Sequence, residues 1–345
     1  MSKFNAFRNL RLVLTRSYAT EVKPNMKLLK ELRKETEVSM SKAKEALVKT
    51  NNDYAKALAW LSEDAQISGA KKAQKVAGRT ASEGLITTAT VQVPVSNGLK
   101  SKSTIIELNC ETDFVSRNDV FKNLASKIAA TSLLMHDGPA SASARFIESI
   151  PVDTLLNAPL MPHPDDSELS AVEDIGKTVQ ETIVETIGKL GENISLRRAA
   201  IVAEGVSACY IHGGDAHSGK MGGIAVLQPK KVALAELDEA SAATLTKTAR
   251  QIARQVVGFN PTWLNPQDIP QNERQSQSNL EEFEEAQVLN KQKYLLKPEL
   301  TIADYVQQAA DAEIVDFIRW QVGEGIEKKE SDFADEVLNA ARGGN

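Results

Sequence analysis

The run Gly214-Asp215-Ala216-His217-Ser218-Gly219-Lys220 matches G-x-x-x-x-G-K. In that pattern backbone N–H groups cradle phosphates and the lysine reaches them. It also needs a Ser or Thr after the lysine to hold magnesium, and a helix whose first amides face the anion. Met221 stands where the hydroxyl belongs, and Gly222-Gly223-Ile224-Ala225-Val226 reads as a strand. The glycines are therefore expected to form a long, flexible β-turn with no nucleotide. His212, His217 and Asp215 in the same loop could ligate zinc, but a fourth ligand is missing nearby. Exposed loop histidines are expected instead, and His136 and His163 sit in isolated polar contexts. Cys110 has no histidine close in sequence, so a thiolate nucleophile is not supported. No serine lies in a nucleophile-elbow context. These residues do not add up to a catalytic set, and no metal, cofactor or covalent chemistry is expected of the chain.

A different kind of site is possible at Asn109-Cys110-Glu111-Thr112-Asp113-Phe114-Val115-Ser116-Arg117-Asn118. A strand runs straight into an Asp-Phe pair ahead of a helix. From the residues alone two readings stand. Phe114 is a core aromatic and Asp113 a turn or cap residue, or the pair is an exposed tip presenting an aromatic wedge beside a carboxylate. Residue chemistry by itself favours the first.

The chain that must position these groups has 345 residues, 41 Lys+Arg against 46 Asp+Glu, a net charge of −5 and 42% hydrophobic residues. At about 150 residues per domain it holds two or three domains. Its composition excludes wholesale disorder. No run approaches the roughly 18 apolar residues of a membrane span, so no membrane association is expected. Cys110 and Cys209 are too few for a disulfide scaffold and too far apart for a local C-x-x-C pair. The acidic balance argues against general nucleic-acid binding, which needs clustered positive charge.

Residues 1–20 carry Lys3, Arg8, Arg11 and Arg16 and no acid, interleaved with Phe4, Phe7, Leu10 and Leu14. That is the composition of an organellar transit peptide. Arg16-Ser17-Tyr18-Ala19 resembles a mitochondrial processing site, placing the transit segment at 1–18. Its removal leaves a still more acidic chain, which suits a basic protein partner.

Residues 25–68 read as three short helices. Leu28, Leu29 and Leu32 face inward from the first, and Ala43, Ala46 and Leu47 from the second. Ser39 is an N-cap without the acid that would complete a capping box, and Asn51-Asn52-Asp53 is a turn and cap. Residues 69–83, with Lys71, Lys72, Lys75 and Arg79 among small residues, read as a helical or flexible linker. Residues 84–190 then form a first core subdomain: a β-hairpin over 84–110 with a loop of more than two residues near Asn97-Gly98, a helix at 118–135, an irregular excursion at 136–168, and a helix at 169–190. Residues 191–345 form a second: strands at 194–205, 206–213 and 222–229, a helix at 239–258 ending near Gly258, a polar helical hairpin or exposed loop at 260–300, a strand at 312–325 and a helix at 331–341. The class is α+β.

Several blocks, in order, resemble the elongation factor Ts family in its mitochondrial form. They are KLLKELRKETEVSMSKAKEALVKTNNDYAKALAWL (27–61), GAKKAQKVAGRTASEGLI (69–86), ELNCETDFVSRND (107–119), GENISLRRA (191–199), YIHGG (210–214) and FIRWQVGEGIEKKESDFADEV (317–337). The resemblance implies a three-helix, ubiquitin-associated-like head and two antiparallel-sheet subdomains. It implies a guanine-nucleotide exchange factor, not an enzyme of covalent chemistry, acting on mitochondrial elongation factor Tu. Thr112, Asp113, Phe114 and Val115 match the family's wedge, which enters the partner near its magnesium and phosphates. Bacterial members carry a coiled coil in the second subdomain. Here 260–300 contains Pro261, Pro266 and Pro270 and no sustained heptad, so a 1:1 complex and no stable homodimer are expected. The rival readings are an interaction protein whose head binds ubiquitin-like folds or nascent chains, and a nucleotide hydrolase using Gly214–Lys220.

Overall fold

The computed structural model describes residues 22–327 apart from 37, 96–97, 136–145, 163–175 and 203. The transit segment 1–18 and the expected helix at 331–341 lie outside the described residues. The chain is α+β, in two compact units that divide between Asp64 and Ala65.

The first unit is built on α1 (Met26–Thr36), α2 (Met40–Lys49) and the start of α3 (Tyr54–Val76). Asn25 Oδ1 accepts from Lys27 N at 2.9 Å to open α1. The Ser39 hydroxyl accepts from Lys42 N at 3.3 Å to open α2. Asn51 and Asn52 both take left-handed φ, +53° and +62°, which asparagine tolerates better than most residues. They reverse the chain, and Asp53 Oδ1 then caps α3 through Lys56 N at 3.1 Å. Leu29, Leu32, Ala43, Ala46, Leu47, Ala57 and Leu61 close the core, in line with the helical spacing read from the sequence.

The third helix is not short. It runs on to Val76, so the first half of the expected linker is helical. The small residues between the lysines explain why. A Cβ at Gly69 would lie 2.7 Å from Val184 O, and one at Gly188 would lie 3.0 Å from Gly69 Cα. Glycine at both positions lets the end of α3 pack backbone-close on α7 (Val179–Leu190), and Lys72 Nζ donates to Gly188 O.

The second unit holds a five-stranded antiparallel sheet, order β3-β4-β2-β1-β6. Its strands are β1 (Glu83–Val95), β2 (Gly98–Cys110), β3 (Ile147–Ile150), β4 (Ile194–Val202) and β6 (Ser218–Gly219). Pairing of β1 with β2 reaches Val95 opposite Gly98, so two residues separate the strands, fewer than expected. A three-stranded sheet, order β10-β7-β5, contains β5 (Val206–His212), β7 (Met221–Pro229) and β10 (Ala312–Gln321). One face of the first sheet buries Leu85, Ile106 and Leu108 against α5 (Asp119–Ser132) and α7. Its other face buries Ile86 and Ile105 with Ile224 and Val226 of the second sheet. With both faces covered, a strand carries consecutive apolar residues, which is why 104–108 reads TIIEL.

The structure corrects several boundaries. The excursion at 136–168 contains β3 and a short helix α6 (Val152–Leu156) within its described part. Of the helix expected over 169–190, residues 169–175 lie outside the described residues; within the described part a helix starts at Val179, where Thr178 and Glu181 form a reciprocal capping box. β4 was expected in the second subdomain from residue 191, yet it is hydrogen bonded along β2, Ser103 opposite Val202 to Cys110 opposite Ile194. The first sheet therefore takes in β4, as it does β6, from beyond residue 190. α8 (Glu239–Phe259), by contrast, ends within a residue of Gly258 as expected, at Asn260, φ +49°, ahead of Pro261. The polar excursion after it folds into α9 (Gln271–Ser276), α10 (Leu280–Gln287) and a ribbon of β8 (Lys293–Tyr294) with β9 (Lys297–Thr301), leading to α11 (Ile302–Ala310). Trp263 packs on Phe283 at 5.6 Å between ring centroids, and Val288, Leu289 and Tyr294 anchor the excursion by burial. These anchors are spread through a polar sequence, which hid them.

Candidate functional site

β2 ends buried at Cys110, and the next residues are held by side chains from far along the chain. Glu111 Oε1 accepts from Asn193 N at 2.6 Å, and its other oxygen lies 3.5 Å from an Arg79 guanidinium nitrogen. Thr112 is fully engaged. Its N–H donates to Glu192 Oε2 at 3.0 Å and its hydroxyl to Glu192 Oε1 at 2.6 Å. The same hydroxyl accepts from Val115 N at 3.4 Å. Thr112 thus caps a single helical turn, α4 (Asp113–Ser116), and Asn118 Oδ1 caps α5 two residues further on.

That turn sorts its side chains. Ser116 is buried and Val115 packs half-buried against the main core. Phe114 points away and is 82% exposed, the most exposed large hydrophobic side chain among the described residues. Asp113 Oδ2 pairs with Arg117 at 2.8 Å, a surface contact worth little by itself. Leaving a phenylalanine in water forgoes about 1.5–3 kcal/mol of burial, and nothing in this fold recovers it. The reading of Phe114 as a core aromatic is overturned: Val115 fills the core and Phe114 is the tip.

Burial, then the Glu192 carboxylate, pushes the Cys110 thiol up to about 12. Its Sγ donates to Thr112 O at 3.2 Å. The reactive form is the thiolate, so iodoacetamide at pH 8 should leave Cys110 unmodified in the folded chain and modify it in urea. Peptide mapping reads this directly. Rapid native labelling would mean that the turn opens on the labelling timescale.

The G-x-x-x-x-G-K loop is tied down, where flexibility was expected. Asp215 Oδ1 accepts from His217 N and Ser218 N at 3.0 and 2.8 Å. Ser218 and Gly219 pair with β1. Lys220 Nζ turns inward to Glu83 Oε2 at 3.0 Å, Gly84 O at 3.2 Å and Ser116 Oγ at 3.4 Å. His212 and His217 are exposed, and among the described residues no three His, Cys, Asp or Glu side chains converge as metal ligands. His136 and His163 lie outside the described residues. A cleft of about 210 Å³ lined by Ala73, Ile183 and Ile187 is below the usual size of a ligand site, about 300–1,000 Å³. Glu192 and Lys220 were not singled out as partners of the tip. They lie about 80 and 100 residues from it, and no local pattern signals such contacts.

A family model described as Elongation factor TS matches residues 111–282, starting at Glu111 beside the tip. A protein named "Elongation factor Ts, mitochondrial" from Coprinopsis cinerea is 36% identical over 336 residues, 88% of this chain and 93% of that one. The chain belongs to the elongation factor Ts family. A second mitochondrial relative, from Laccaria bicolor, is 41% identical over 277 residues, 75% of this chain and 81% of its own. The elongation factor Ts of Brucella anthropi is 36% identical over 346 residues, 92% and 98% of the two chains. The likeness to the family spans both compact units.

Proposed function

We propose that this chain is the mitochondrial translation factor that binds elongation factor Tu·GDP and promotes exchange of GDP for GTP, using the tip at Thr112–Val115 as its wedge. The observation that carries this reading is the exposed phenylalanine on a one-turn helix, beside a carboxylate and braced at its base. GDP on such a partner is held by magnesium and by backbone amides around its phosphates. Phe114 entering between partner helices displaces them, and Asp113 perturbs the partner's magnesium shell. Two ligands that demand different states of one protein weaken each other reciprocally. Accelerating release by several decades takes roughly 4–6 kcal/mol from the barrier, more than one aromatic ring supplies. The three-helix head, read as a ubiquitin-associated-like module on the nucleotide domain, and the two sheets supply the remaining binding. GTP then rebinds and the factor leaves.

The partner forms a 1:1 complex with one copy of this chain, without a stable homodimer. Residues 1–18 direct the chain to the organelle, in keeping with the mitochondrial relatives. The test is release of a fluorescent GDP from mitochondrial elongation factor Tu. Micromolar amounts of this protein should accelerate it by orders of magnitude, and an unchanged rate would overturn the reading.

A further inference from the structure

We infer that Glu192 and Lys220 are positioning residues for the Asp113–Phe114 tip, an inference that rests on the wedge reading above. α4 is a single turn, and a single turn has no stability of its own because nucleation is unfavourable. Its conformation is imposed from outside. Glu192 spends both carboxylate oxygens on Thr112, one on the backbone N–H and one on the hydroxyl. That is more than a threonine N-cap needs, since its own hydroxyl already serves Val115 N. Lys220 holds the opposite end. Its ammonium, fixed by Glu83 and Gly84 O, donates to Ser116 Oγ, and that hydroxyl donates onward to Asp113 O at 2.9 Å.

The two braces come from different places. Glu192 lies two residues before β4, just after Gly191 in left-handed conformation (φ +81°). Lys220 sits between β6 and β7, where the first sheet hands over to the second. A wedge that displaces another protein's helices feels an equal push in return. Charge-assisted hydrogen bonds are the stronger and more directional ones, and two at the Thr112 end with one at Ser116 keep the turn from yielding. Preorganised groups held within a fraction of an ångström act where looser ones fail. Both residues thus act through Phe114.

The test is a comparison in two backgrounds, with the full chain and elongation factor Tu carrying fluorescent GDP. Glu192→Gln keeps one acceptor and turns an amide donor toward Thr112. It should lower the maximal stimulated release rate about tenfold, with the half-saturating concentration shifted less than about twofold. Lys220→Met should act in the same direction. In a Phe114→Ala background neither change should slow release further, because residues acting as a unit are non-additive. Parental rates for both variants, with Phe114→Ala slow, would overturn the inference and leave the wedge standing. Equal slowing in both backgrounds would also overturn it, showing a general structural role. A parental rate for Phe114→Ala would remove the wedge reading itself. Should Glu192→Gln fail to fold, Lys220→Met carries the same comparison from a half-exposed position.

Discussion

Phe114→Ala should cut the maximal GDP-release rate by roughly 10- to 100-fold while leaving the fold intact. The figure follows from the ring. Burying a phenylalanine contributes about 1.5–3 kcal/mol, and each 1.4 kcal/mol is tenfold. On the free chain the ring makes no core contact, being 82% exposed, so thermal unfolding should be almost unchanged. Phe114→Leu should fall between the two, because it keeps apolar volume and loses the flat ring. Asp113→Ala should cost less than Phe114→Ala, since on the proposed docking it removes a charge near the partner's magnesium but leaves the wedge. Stopped-flow release at saturating factor separates the rate from the affinity. If Phe114→Ala works at the parental rate, the tip is not what displaces the nucleotide.

Glu107→Ala should be the most destabilising single change proposed, about 3–5 kcal/mol, lowering the unfolding midpoint by on the order of 10 °C. Glu107 is fully buried. Its carboxylate accepts from Arg197 at 3.1 Å to each oxygen, from Arg198 Nε at 2.6 Å, from Gly323 N at 2.8 Å and from Asn109 Nδ2 at 3.1 Å. Neighbouring residues on a regular strand face opposite sides, so two adjacent arginines would not normally reach one carboxylate. The pairing between β2 and β4 shifts register here, Glu107 facing Arg198 and Leu108 facing Leu196. Arg197 is the extra residue of the bulge, and the bulge turns both guanidiniums onto Glu107. Removing the acid takes the carboxylate from both arginines and from Gly323 N, leaving the arginines with backbone oxygens at Glu324 and Gln321, and frees the end of β10 near Gly323. Thermal or denaturant unfolding measures this. Arg197→Ala combined with Glu107→Ala should cost less than the sum of the two. A midpoint within about 2 °C of the parent would show that the cluster carries little stability.

Local chemistry was readable wherever it was self-contained. Ser39 and Asp53 each cap the helix that follows, because a short polar side chain reaches only its own first turn. The apolar spacing of Leu29, Leu32, Ala46 and Leu47 identifies an inward face without knowledge of its neighbours. Boundaries drifted where a distant contact decided them. The end of α3 was hidden because Gly69 reads as a breaker until Gly188 is seen against it. The polar excursion was hidden because Trp263, Val288 and Tyr294 are too far apart to form a pattern.

The sequence alone determined the α+β class, the apolar faces of the head, the hairpin leading into Asp113–Phe114 and, through ordered motif blocks, the likeness to elongation factor Ts. Those properties depend on residue type and near-neighbour spacing. Only the tertiary structure decided that Phe114 faces water while Val115 faces the core, that Lys220 belongs to Glu83 and Ser116, and that β4 joins the first sheet. Each of these is set by groups some 80 to 140 residues apart meeting in space. One residue turns a side chain by about 100° on a helix and to the opposite face on a strand, and which face is wet is a property of the packed whole.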